Sequence, residues 1–146
     1  MRKIFTVLLF AIFICSCNTQ STKISSDIEP FLNKYFTSWS NNNIKDYRSC
    51  FHKDAIIIYI KNGTVQNKQD LQTFIKGQSA YLAKTKNVRE SMTSFTAKED
   101  SKSAAIVAKW AFEEQGKISG TGVDHFLLIR DKKKQWKIVS LVWYKD

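Results

Sequence analysis

From residue 87 onward the chain becomes three or four long extended runs and little else. Residues 88–98, 103–114, 117–130 and 135–145 are rich in β-branched and aromatic side chains, which suit a pleated, half-buried surface. Between them lie Glu99-Asp100-Ser101-Lys102, Gln115-Gly116 and Asp131-Lys132-Lys133-Lys134. Polar turns this short reverse the chain and join antiparallel neighbours. The second half of the protein is therefore an antiparallel meander, and the first half must cover it.

The first half reads as helical with one hairpin. Ser26 or Asp27 can cap a helix, and Pro30 is tolerated in its first turn. Ile28, Phe31, Leu32, Tyr35, Phe36 and Trp39 then form one apolar stripe at helical spacing. Asn41-Asn42-Asn43 breaks it, and a short second helix over residues 44–50 sets Ile44 and Tyr47 on one side. Residues 55–60 (AIIIYI) read as a buried strand, Asn62-Gly63 as a turn, and residues 64–66 as a short return. Asn67 or Asp70 opens a third helix carrying Leu71, Phe74, Ile75, Ala80 and Leu82. Helices gathered early and strands late predict an α+β fold, with helices on one face of a curved sheet. No internal repeat is present.

The N-terminus sets the compartment. Arg2 and Lys3 precede an almost unbroken apolar run over residues 4–14, a secretory leader too short to span a bilayer as a mature helix. The run ends in Ile14-Cys15-Ser16-Cys17, which resembles the lipobox of bacterial lipoproteins. That resemblance implies cleavage before Cys17 and a diacylglycerol on its thiol. The expected division is a signal peptide over 1–16, a lipidated Cys and polar tether over 17–26, and one domain over 27–146. The resemblance implies an exported protein anchored to the membrane. Asn18 is not the Asp that retains enterobacterial lipoproteins at the inner membrane, which points to the outer membrane, facing the periplasm.

The remaining chain, 43% hydrophobic and 13% aromatic over the full sequence, can bury a real core and is not disordered. Arg2 and Lys3 leave with the leader, and with no acid lost the formal charge of +10 becomes +8. No nucleic-acid motif accompanies that charge, and an exported protein meets little nucleic acid. A Lys-rich solvated surface, or anionic lipid headgroups, accounts for it. With Cys15 in the leader and Cys17 at the anchor, only Cys50 remains. No disulfide can form within the domain, and Cys50 reads as a small buried hydrophobe.

Trp39 followed by Asn-rich residues and Ile44-Lys45-Asp46-Tyr47, then Phe51-His52-Lys53-Asp54-Ala55, and finally Trp136-Lys137-Ile138-Val139 opening the last strand, resemble the nuclear-transport-factor-2-like superfamily over residues 27–145. It includes ketosteroid isomerase, scytalone dehydratase and SnoaL-type polyketide cyclases. The resemblance implies a cone-shaped half-barrel. Its curved, mostly antiparallel sheet would carry about three helices on the concave face, enclosing a pocket. It also implies a homodimer. Function varies widely across such a fold and must be argued from the site.

Hairpin register assigns the strand faces. A two-residue turn at Gln115-Gly116 sets Ala111 opposite Gly120, Lys109 opposite Gly122 and Val107 opposite Asp124. A four-residue turn at 131–134 sets Ile129 opposite Trp136 and Asp124 opposite Leu141. Paired residues share a face. Lys109, Asp124, Phe126, Leu141 and Trp143 then lie together, and Trp110, Phe112, His125, Trp136 and Ile138 lie on the other side. Asp124 and His125 point opposite ways, and only one can line a pocket. Hydrophobic weight slightly favours the face of His125. The resemblance matches Trp143 to an inward aromatic of ketosteroid isomerase-like chains and so favours Asp124, although Phe126 stands where that enzyme's inward strand carboxyl would fall.

Asp124 or His125 is thus the candidate proton-transfer residue. Tyr35, Trp39, Tyr59, Lys109, Phe126 and Trp143 are the candidate ligand contacts. His52 reads as a turn residue, and Asp46 and Asp54 are the remaining acids near a helix end. The two histidines, far apart, make no metal motif. No nucleophile motif or phosphate-cradling loop is present, and no cofactor is expected. The leading expectation is a non-catalytic, lipid-anchored domain that binds a small apolar molecule or a protein partner. The rivals are an isomerase, cyclase or dehydratase using Asp124 or His125, and a dimeric accessory subunit of an envelope complex.

Overall fold

A computed structural model describes residues 25–146. The leader, Cys15, Cys17 and the tether before Ser25 lie outside the described residues. The order is α1 (Ile28–Ser40), α2 (Ile44–Ser49), β1 (Phe51–Lys61), β2 (Thr64–Asp70), α3 (Leu71–Lys84), β3 (Val88–Glu99), β4 (Ser103–Glu114), β5 (Lys117–Arg130) and β6 (Trp136–Lys145). The strands form one six-stranded sheet in the order β2-β1-β6-β5-β4-β3. Every pairing is antiparallel except β1 with β6. This is the expected α+β half-barrel: a curved, mostly antiparallel sheet covered on one face by three helices.

Helix α1 buries Ile28, Leu32, Tyr35, Phe36 and Trp39, the stripe read from the sequence. Asn42 takes φ 54°, a left-handed conformation that Asn tolerates, and ends the helix. Asn43 caps α2 by accepting from the Asp46 N–H at 3.2 Å. Asp70 caps α3 by accepting from the Thr73 N–H at 2.7 Å. Strand β2 extends up to that cap, further than the sequence suggested. Its exposed, polar side chains suit an edge strand.

Asp27 makes no side-chain cap at the start of α1. Its carboxylate instead accepts from Arg130 Nη1 at 2.9 Å and from Trp136 Nε1 at 3.2 Å. Arg130 also reaches Glu99 at 3.5 Å and stacks on the Trp136 ring, 3.9 Å from its centroid. The Arg130 guanidinium holds the Asp27 carboxyl well below the usual carboxylate range. This cluster pins the first helix to the far ends of β3, β5 and β6.

The meander forms as expected, but bulges change its register: one on β3 at Thr93, and two on β5 and β6 that decide the faces around Asp124. Near the turn Glu114 faces Lys117, as a two-residue loop requires. Then Glu113 pairs with Ile118 and Phe112 with Gly120, leaving Ser119 extra. Beyond it Lys109 faces Val123 and Ala108 faces Asp124. One extra residue exchanges the two faces of everything that follows. A second bulge lies at Val139, where Leu128 pairs with Ile138 but Leu127 with Ser140. The turn there is one residue longer than expected, with Arg130 opposite Trp136. The two changes cancel beyond the bulge, so Asp124, Leu141 and Trp143 do share a face.

The core accordingly mixes the two expected faces. Ile28, Leu32, Ile106, Leu128 and Ile138 are each at most 1% exposed and close one end of the fold. Trp110 is buried on the Asp124 side, contrary to the register read from the sequence. The outer sheet face leaves Val107 and Leu127 exposed, at 37% and 45%. Cys50 is buried, and burial pushes its thiol up to about 11, so it behaves as the expected inert hydrophobe.

Gly122 lies between Trp110 on β4 and Lys145 on β6 in one cross-strand row. A Cβ there would collide with the Trp110 ring and the Tyr144 carbonyl. The missing side chain is the space that the indole occupies. Gly122→Ala is therefore expected to destabilise the domain by ~2 kcal/mol or more, read as a lower urea midpoint. A wild-type midpoint would contradict this account.

Candidate functional site

The helices and the sheet enclose a cavity of about 200 Å³. Tyr35 and Trp39 reach it from α1, Tyr47 from α2, and Phe74, Gln78 and Tyr81 from α3. The sheet contributes Glu90, Trp110, Phe112, Asp124, Leu141, Trp143 and Lys145. Most of this wall is aromatic, because helix stripe and sheet face both carry rings at this end. Trp39 lies parallel to Tyr81 and edge-on to Phe112, with ring centroids 6.1 Å away in both cases. Its indole N–H donates to Gln78 Oε1 at 2.7 Å, which fixes both side chains.

Asp124 forms the floor and is 4% exposed. The Trp110 Nε1–H donates to its Oδ1 at 2.9 Å, and the Tyr35 hydroxyl donates to its Oδ2 at 3.3 Å. The Tyr47 hydroxyl in turn donates to the Tyr35 oxygen at 3.1 Å. A buried carboxyl without hydrogen bonds is strongly unfavourable; here each oxygen has a donor. Burial still outweighs those donors and pushes the Asp124 carboxyl up to about 7. Burial, and next the nearby Asp124 charge, likewise raise the Tyr35 phenol.

Glu90 is the second acid. It projects from β3, half-buried, with its backbone N–H and C=O both tied to the Ser40 hydroxyl at 2.9 and 2.8 Å. Its carboxylate takes no hydrogen bond and no ion pair among the described residues. Burial, then repulsion from Asp124, lifts it to about 8, against an opposing pull from Lys145. The sequence reading did not single out Glu90. The signal was present: Val88, Glu90 and Met92 alternate along β3, so an acid sits on an otherwise apolar inward face.

The structure brings Asp124, Tyr35, Trp39 and Trp143 to one cavity. Four expected placements change. Lys109 is exposed on the outer face, because the Ser119 bulge reverses its side relative to Asp124. His125, adjacent to the inward Asp124, is exposed on that outer face, 5.9 Å from the Tyr144 ring, and cannot act in this pocket. Phe126 is buried below the cavity, edge-on to Tyr35 at 5.1 Å, so it supports the floor without lining it. Tyr59 stacks on Trp143 at 4.2 Å and lines an adjoining hollow of about 130 Å³. His52 lies on β1, its Nδ1 accepting from the Asp54 N–H at 3.3 Å. Gln78 and Lys145 are further lining residues that the sequence reading did not name, and Trp110 is one that it set on the opposite face. No group of three His, Cys, Asp or Glu among the described residues could hold a metal. Chemically the site offers a flat aromatic slot, an engaged carboxyl at its floor and a free one at its side.

The fold is shared with proteins of known structure. A nuclear-transport-factor-2-like protein of unknown function from Pseudomonas putida superposes with a TM-score of 0.70 at 11% identity, covering 82% of this chain and 84% of that one. A protein of unknown function with a cystatin-like fold from Nostoc punctiforme gives 0.69 at 10% identity, covering 82% and 88%. A protein from Shewanella frigidimarina, described as a "putative ketosteroid isomerase", gives 0.61 at 15% identity, covering 78% and 91%. At such identities the likeness is one of fold. No curated protein matches the sequence significantly. A sequence profile of the family described as "Putative lumazine-binding" matches residues 23–144. The chain therefore belongs to that family, and its fold is the one seen in nuclear-transport-factor-2-like proteins.

Proposed function

We propose that this domain binds a small, flat aromatic molecule in the cavity above Asp124 and performs no chemistry on it. The observation that carries this reading is the cavity itself: an aromatic slot with a few convergent polar groups, the usual composition of a small-molecule site. Its volume, about 200 Å³, is below the roughly 300–1,000 Å³ that drug-sized ligands occupy, so the occupant is compact. Asp124 has both oxygens engaged, which suits a floor that positions a ligand better than a free base. The family's description makes lumazine the first probe. Lumazine should quench the tryptophan fluorescence of the protein in a saturable titration. Trp143→Ala should weaken binding about tenfold through the lost stacking surface. Unchanged affinity in that variant would remove the pocket from the account.

The protonation of the floor gives an independent check. The Asp124 carboxyl rises from 3.8 to about 7 on folding, and that of Glu90 from 4.5 to about 8. Between about pH 4 and pH 8 the folded protein holds protons that the unfolded chain has released, so stability falls as pH rises. Asp27, whose carboxyl is held low, acts in the opposite sense but only below about pH 4. The melting temperature is thus expected to fall from about pH 5 to about pH 8, and Asp124→Asn to flatten that fall. Equal slopes in the two proteins would show that Asp124 is ionised in the native state throughout.

We further propose that the domain works on a membrane, tethered through lipid at Cys17. The apolar run and Ile-Cys-Ser-Cys sequence support this. Labelled palmitate should enter the wild-type chain and be absent from Cys17→Ala. Label persisting in the variant would move the anchor to Cys15.

A further inference from the structure

The charges that face the cavity do not balance. Asp124 on β5 and Glu90 on β3 are acids, and Lys145 on β6 is the one ammonium among the lining residues. The remaining titratable neighbours are the phenols of Tyr35, Tyr47 and Tyr81 from the three helices. Lys145 is exposed at the rim, its Nζ 5.4 Å from the centroid of Phe112, and makes no ion pair with Glu90. Asp124 is satisfied by Trp110 and Tyr35. Glu90 is not: its carboxylate borders the cavity with no hydrogen-bond donor and no ion pair among the described residues, Lys145 acting on it only at longer range. It lies directly across the strand pair from Phe112, so the free carboxylate and an aromatic wall border the same space.

We propose that the pocket selects positively charged aromatic amines, with Glu90 meeting the ammonium and the aromatic walls taking the ring. This rests on the reading of the cavity as a site for a flat aromatic ligand. A half-buried carboxylate without a partner is unfavourable, and an incoming cation removes that penalty where a neutral ligand cannot. The faces of Trp39 and Trp143 add cation–π attraction in a partly desolvated site. Ionising Asp124 and Glu90 together costs repulsion, which a bound anion would increase and a cation relieves. Since both carboxyls are lifted towards neutrality in the empty pocket, binding of a cation ionises them and releases protons.

The test uses three probes of nearly equal shape on the purified full-length chain: 2-phenylethylamine, 2-phenylethanol and 3-phenylpropionate, each titrated by calorimetry. The amine should bind at least about tenfold more tightly than the alcohol, and the propionate more weakly than either. Glu90→Gln, of nearly the same shape, should bring the amine down to the alcohol. Lys145→Gln, which removes the rim cation, should strengthen the amine. Equal binding of amine and alcohol to the wild type overturns charge selection while leaving the aromatic reading intact. A preference that survives Glu90→Gln overturns the role of Glu90. Binding of none of the three overturns the aromatic reading and this inference together.

Discussion

Helices and sheet meet at one buried carboxyl. Asp124 accepts from Trp110 on the neighbouring strand and from Tyr35 on α1, and Tyr35 is held by Tyr47 on α2. Each bond is short-range and directional, so together they fix where α1 and α2 sit over the sheet. The arrangement depends on a vacancy. Gly122 leaves the row beside Asp124 empty, and the Trp110 indole crosses that gap to reach the carboxyl. An acid buried this deeply is tolerable only while both donors are in place. That requirement specifies the positions of Trp110, Tyr35 and Gly122 more tightly than apolar packing would.

The same geometry separates the two acids of the cavity. Asp124 is enclosed and satisfied, which makes it part of the scaffold. Glu90 has its backbone secured by Ser40 while its carboxylate is left facing open space. The difference follows from position: β5 lies inside the sheet, whereas β3 is one of its two edge strands. Two carboxyls lifted towards neutrality in one cavity give it a charge that depends on its occupant. The floor is set by folding, and the side wall is left to respond to a ligand.

Much of this fold was legible in the sequence. The apolar stripe from Ile28 to Trp39, the Asn41–Asn43 break, the Asn62-Gly63 and Gln115-Gly116 turns and the long late strands all form where local chemistry puts them. What the sequence hid was parity. Ser119 carries no mark of a bulge, yet it moves Lys109 away from Asp124 and brings Trp110 beside it. Val139 is equally unmarked, and only a compensating longer turn kept Trp143 on the expected side. Strand faces have a period of two, so one unseen residue reverses them, whereas a helix stripe tolerates such an error. The parallel pairing of β1 with β6 was hidden for another reason: no local signal links segments some eighty residues apart. Glu90 was hidden because it lies on an edge strand whose mixed polar and apolar residues mark its inward face only over Val88 to Met92.

The two ends of the strands serve different purposes. Asp27, Glu99, Arg130 and Trp136 form a cluster where the described chain begins, at Ser25, whose N–H donates to Glu99 at 2.7 Å. Glu90, Phe112, Trp143 and Lys145 border the cavity towards the other end of the same strands. Along β3 the nine steps from Glu90 to Glu99 span roughly 30 Å at the usual rise of a strand. At the first end Ile28, Leu32, Leu128 and Ile138 are fully buried and fill the space between helix and sheet. A chain tethered at Cys17 would therefore present its closed, pinned end to the membrane and its open end away from it. On that proposal a ligand would reach the cavity from the aqueous side, and the Arg130 cluster would bear whatever pull the tether exerts. A site made for extracting molecules from the bilayer would need the reverse arrangement.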